Sequence, residues 1–95
     1  KRLFHCGSLS YTVMDDRLQP PDIITVSGSI IDISSTGIRF QLREKPPIKG
    51  SFLCMRLEVG FANDMVTVPV VVEVLWVKEI SADNSHYYVG SRFIL

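Results

Sequence analysis

Apolar residues fall at every second position along almost the whole chain, and this alternation restricts the fold more than any other feature of the sequence. Over 65–78, Val66, Val68, Val70, Val72, Val74 and Trp76 make one row, with Thr67, Pro69 and Glu73 between them. A strand sends successive side chains to opposite faces, so period two is the pattern of a half-buried strand. The pattern recurs at Leu9, Tyr11 and Val13, over 24–31, and at Ile38, Phe40 and Leu42. It returns at Leu53, Met55, Leu57 and Val59, and in a last strand with Tyr87, Val89 and Phe93 on one face. Between these runs lie turn formers: Asp15-Asp16 through Pro20-Pro21-Asp22, then "EKPPIKG", "GFAND" and "SADNS". β-branched residues dominate, and no segment has a helical stripe.

The expectation is an all-β domain of six antiparallel strands closed into a small barrel, which removes exposed sheet edges. Gly28 is the expected site of a bulge in the second strand. The row from Val66 to Trp76 is expected inside, with Glu73 more exposed, since a one-residue slip would bury the carboxylate and wet the valines. Pro69 cannot donate to a ladder, so the long strand is expected to bend or lose pairing there.

Ninety-five residues, 46% of them hydrophobic, make one domain with enough apolar material for a core. The chain starts and stops abruptly, as a domain excised from a longer protein would. Ten Lys+Arg balance ten Asp+Glu, so no overall field attracts a nucleic acid polymer or an anionic membrane. Zero net charge and few exposed aromatics argue against oligonucleotide binding. No apolar run is long enough to span a membrane, and Lys1-Arg2 does not open a signal peptide. Cys6 and Cys54 belong to no C-x-x-C pair, and with His5 and His86 they supply no metal-ligand spacing. Two free thiols in a cytoplasmic protein is the expectation. The serines lack a nucleophile elbow and no phosphate-cradling glycine loop is present, so the chain is not expected to be an enzyme and needs no cofactor.

The segment "DISSTG" (32–37) stands out. Asp32, Ser34 and Gly37 offer a carboxylate, a hydroxyl, and a glycine that can take positive φ or admit a ligand close to the backbone. A carboxylate suits the N1–H and N2–H₂ edge of guanine. The same residues also suit a plain turn, with Asp32 closing it and Gly37 restarting the strand. Arg39 and Arg92 face outward by alternation and are candidates to meet near this loop. Tyr88 is a candidate stacking surface, and Trp76 is another, although its row with Val72 and Val74 favours the core.

The stretch 32–40, Asp-Ile-Ser-Ser-Thr-Gly-Ile-Arg-Phe, resembles the (D/N)-x-S-x-x-G signature loop of the PilZ domain family. "VEVLWV" (72–77) resembles the family's long strand ending in tryptophan, and "YYVGSRFI" (87–94) its closing strand with G-x-x-F. The resemblance covers essentially the whole chain and implies a six-stranded barrel. It also implies a receptor domain for the bacterial second messenger cyclic di-GMP, in which Asp32 and Ser34 hydrogen-bond a guanine. Such members carry R-x-x-x-R just before the first strand. Here Arg2 is followed four positions later by Cys6, so residues 1–6 are the expected N-terminal switch segment with Arg2 as the second arginine of a motif that begins upstream. On this reading Arg2, Asp32, Ser34, Gly37, Arg39 and Arg92 are the ligand-binding set, and a neighbouring domain or partner protein receives the signal. The alternative is a degenerate PilZ domain that serves as a protein-interaction module without nucleotide.

Overall fold

Thirteen buried apolar side chains from all six strands meet in one core, and they are the inward members of the alternating runs. The computed structural model describes residues 4–14, 25–43, 45–61, 63–80 and 86–94. Its strands are β1 (Phe4–Val13), β2 (Val26–Ile33), β3 (Gly37–Leu42), β4 (Phe52–Phe61), β5 (Asp64–Glu79) and β6 (Tyr87–Phe93). They close in the order β1-β2-β3-β6-β5-β4, every pair antiparallel. The expected six-stranded antiparallel barrel is therefore the observed one. Phe40 sits at its centre, fully buried, with the Tyr11 ring tilted 57° to it at 6.0 Å between centroids.

β4 follows its pattern without exception over 53–59: Leu53, Met55, Leu57 and Val59 are buried, and Cys54, Arg56 and Glu58 are exposed. β2 departs from expectation. It runs to Ile33, so Asp32 and Ile33 belong to the strand, and the connection to β3 is only residues 34–36. Gly28 pairs in regular register with Leu9, and the bulge lies further on, between Ile30 and Asp32. There Ile30 opposes Phe40 and Asp32 opposes Arg39, leaving Ile31 as the extra residue. A bulge inserts one residue and reverses the alternation beyond it.

β5 holds a second bulge. Val74 opposes Ser91 and Trp76 opposes Gly90, so Leu75 is extra. The inner row is thus not continuous to Trp76: Val72 and Val74 are fully buried, but Trp76 is 40% exposed and Val77 takes the next inward place. At the other end of the row Val66 is exposed, and Val68 and Val70 are only partly covered. Glu73 is partly exposed, as the alternation requires.

The expected break at Pro69 does not occur. Pairing with β4 runs unshifted from Phe61↔Asp64 to Phe52↔Glu73 and passes through Arg56↔Pro69. The backbone of Val74 bonds on the β4 side, to Gly50 and Ser51, whereas the Val71 carbonyl accepts from Ile94 on the β6 side. Odd-numbered residues of this half of β5 therefore turn their polar groups away from β4. Pro69 is one of them, so its missing N–H costs no bond to β4.

Candidate functional site

β1 has a register shift of its own between His5 and Ser8, but the bulges that matter here lie in β2 and β5, which flank β3 and β6. Each turns outward a residue that strict alternation would have sent inward: Asp32 from β2 and Trp76 from β5. Register then aligns them. Asp32 opposes Arg39, Arg39 opposes Gly90, and Gly90 opposes Trp76, so one row crosses four strands on the outer surface. An open hollow of about 400 Å³ lies over this row, lined also by Ser34, Thr36 and Leu75. That volume falls in the range of small-molecule sites.

Asp32 is not the residue that closes the turn. Arg39 grips its carboxylate as a fork, Nε lying 3.0 Å from Oδ1 and 3.1 Å from Oδ2, with Nη2 also on Oδ2. The hydrogen bond and then the charge of Asp32 raise the Arg39 pKa above its already high ordinary value. Folded-state affinity for a proton is thus increased, and the stabilisation would be lost only in strong alkali, so Arg39 stays charged at any working pH. Solvent reaches both side chains, Arg39 more than Asp32, and surface pairs of this kind add little to stability.

Ser34 closes the turn instead. Its Oγ accepts from the backbone N–H of Thr36 and of Gly37, each at 3.2 Å, and shares a 3.1 Å hydrogen bond with the Thr36 hydroxyl. Ser34 N–H donates to the Gly37 carbonyl at 2.9 Å. Gly37 does not use positive φ, which among the described glycines occurs at Gly50. Its lack of a side chain serves close approach: a Cβ would stand 2.0 Å from the Ser91 carbonyl oxygen. β6 therefore presses on the loop from behind. The buried Ser91 hydroxyl donates to the Ile38 carbonyl at 2.9 Å, and Phe93 N–H donates to Thr36 at 2.8 Å.

Trp76 was expected in the core, with a stacking platform as the lesser reading, and so was left out of the ligand-binding set; it lies outside instead. Its indole lies flat on Gly90, where a Cβ would come within 2.1 Å of Cε2 and 2.3 Å of Nε1. Any larger residue at 90 would displace the ring. The glycine of "YYVGSRF" was thus the available signal, though nothing local pairs it with a tryptophan fourteen positions earlier.

Arg92 does not join the row. It opposes Gly37, but its guanidinium reaches the other way to Glu73, with Nε 2.7 Å from Oε1. Arg39 and Arg92 are therefore committed to different carboxylates, and only Arg39 lines the hollow. Arg2 lies outside the described residues. Tyr88 is exposed on β6, opposite Gln41 and Lys78, and does not line the hollow.

A second hollow of about 410 Å³ runs across β1, β4 and β5 past Thr12, Cys54, Arg56 and Pro69. Among the described residues its lining has no ion pair and no exposed aromatic ring. Cys54 is a free, exposed thiol. Among the described residues no group of three or more His, Cys, Asp or Glu could hold a metal ion, and no helix is long and apolar enough to cross a membrane.

No curated protein and no solved structure matches the chain significantly. The family model of the PilZ domain matches residues 8–95, which takes in the loop, both bulged strands and the glycine beneath Trp76. With that span matched and the closed barrel in hand, the chain belongs to the PilZ domain family, known for binding cyclic di-GMP.

Proposed function

We propose that this domain is a non-enzymatic receptor for cyclic di-GMP that converts binding into altered contacts with a neighbouring domain or partner protein. The supporting observation is the outward row Asp32–Arg39–Gly90–Trp76 beside the Ser34 turn, all on one open hollow. A guanine base needs acceptors for its N1–H and N2–H₂ and a flat apolar surface for its ring. Asp32 presents its carboxylate on this row, where a guanine edge would share its oxygens with the Arg39 fork. Trp76 supplies the surface, and stacking a base on an aromatic side chain contributes roughly 1–3 kcal/mol. Arg39 keeps N–H donors beyond those Asp32 uses, and these suit phosphate oxygens. Arg2 is the further phosphate ligand on this reading. Ser34 acts through the loop's shape, because its hydroxyl is already occupied by the turn.

A second reading, a PilZ domain that binds protein and no nucleotide, rests on the sequence ahead of β1. Arg2 is spaced four residues from Cys6 where nucleotide-binding members have a second arginine.

Titration calorimetry separates the two. Cyclic di-GMP is expected to bind the intact protein and to bind more weakly as salt rises, since phosphate meets arginine. Asp32→Ala is expected to abolish binding with the melting temperature nearly unchanged. Absence of heat and of chemical-shift change at high micromolar nucleotide would sink the receptor reading and leave the interaction module.

A further inference from the structure

We infer that Arg39 makes a phosphate a condition of guanine binding: it holds the guanine's place on Asp32 in the ligand-free domain and gives it up when a phosphate takes the guanidinium. The inference rests on the receptor reading above and concerns how that site selects its ligand. The observation is that the two charged side chains of the row are engaged with each other. Arg39 Nε lies 3.0 Å from Oδ1 and 3.1 Å from Oδ2 of Asp32, and Nη2 holds Oδ2 as well. A guanine edge, with N1–H and N2–H₂ side by side, asks for those same two oxygens.

Register adds a conflict of space to the conflict of chemistry. Neighbouring strands lie about 4.8 Å apart. The Asp32 carboxylate on β2 and the indole over Gly90 on β6 are therefore separated by the width of β3. A base that touches both must lie over β3, and the outward residue of β3 at that level is Arg39. Its side chain stands where the base has to go.

The exchange has a sign that depends on the ligand. Arg39 is held by a pair of the exposed kind, its own side chain 56% accessible, so it is displaced at modest cost. It stays charged throughout, so proton loss does not open the site. Bare guanine offers the displaced guanidinium only neutral acceptors, O6 and N7. A phosphate offers an anionic one, and hydrogen bonds between ions are roughly twice as strong as neutral ones. With phosphate the guanidinium trades one anion for another, and without it the trade is a loss. The pair thus turns a guanine site into a site for guanine that carries phosphate, and it handicaps guanosine by roughly two- to fivefold.

The chain's single tryptophan supplies the readout, as the ¹H–¹⁵N resonance of the Trp76 indole during titration with cyclic di-GMP and, separately, with guanosine. Arg39→Met should weaken cyclic di-GMP at least about tenfold and tighten guanosine roughly two- to fivefold. Adding Asp32→Ala to Arg39→Met should erase the guanosine gain, since no carboxylate is left to release. Arg39→Gln, which keeps a polar side chain on the strand, should repeat both changes and stands in if the methionine variant folds poorly. Guanosine binding that is absent, unchanged or weaker in the folded variants, with cyclic di-GMP bound by the parent, overturns the inference and leaves Arg39 a phosphate ligand alone. A gain that persists without Asp32 overturns it too, because the new side chain is then its source. So does cyclic di-GMP bound equally by parent and variants. Cyclic di-GMP that fails to bind the parent is a distinct result, which removes the receptor reading and this inference with it.

Discussion

Asp32 and Trp76 are the two residues whose environment differs most from what their neighbours in sequence suggest. Asp32 belongs to a loop by composition, yet it lies within a strand and pairs with Arg39 seven positions on. Trp76 continues a valine row, yet it lies outside on Gly90. Neither partner could be read from the chain, because each depends on which residues face each other across strands. What could be read was the chemistry: a carboxylate, an arginine and a glycine in this stretch do share one surface. Position 90 offers a test at this scale. Gly90→Ala should push the indole off β6 and weaken cyclic di-GMP binding about as much as Trp76→Ala does, on the order of ten- to a hundredfold. Trp76→Phe should keep part of the affinity. Nucleotide titrations monitored by tryptophan fluorescence, and by calorimetry for the Trp76 variants, check this. Equal affinity in Gly90→Ala and the parent would mean the indole is not part of the site.

At the scale of elements, the alternation located all six strands and the inward face of β3 and β4, because those strands carry no insertion. It failed where β2 and β5 each hold one residue too many. A bulge leaves no mark in a run such as "VVVEVLWV", since Leu75 and Trp76 are both apolar and either could continue the row. The extra residue is Leu75, and this has a counterintuitive consequence. Deleting Leu75 leaves Val74 inward, Trp76 outward and Val77 inward, so the domain should still fold and melt cooperatively. Deleting Val72 instead shifts Glu73 into the position between Leu53 and Phe93, where a carboxylate would lose both water and Arg92. Burial of an unpaired charge costs several kcal/mol, a large part of the stability of a small domain. That deletion should leave the chain unfolded by circular dichroism. Comparable damage from both deletions would mean that the register assigned to β5 is wrong.

For the whole molecule, closure of the barrel is what makes a surface row possible. β3 and β6 are fixed by the core residues Ile38, Phe40, Leu42 and Val89, so the outward residues between them are held by packing they do not contribute to. The site can therefore change without the fold, and the fold can bind without rearranging its centre. A ligand held only by the folded state raises stability by RT ln(1 + [L]/Kd), about 2.7 kcal/mol when the ligand is a hundredfold above Kd. For a domain of this size each kcal/mol moves Tm by roughly 4–8 °C, so saturating cyclic di-GMP should raise Tm by on the order of 10 °C. The shift should shrink at high salt, because with zero net charge the electrostatic attraction is local to the arginines. It should vanish in Asp32→Ala, whose own melting temperature stays near the parent's. Linear mononucleotides, which present one guanine and one phosphate group, should give a much smaller shift at equal concentration. A melting temperature that does not respond to cyclic di-GMP at any salt, in a chain that is otherwise folded, would assign the row to a protein partner instead.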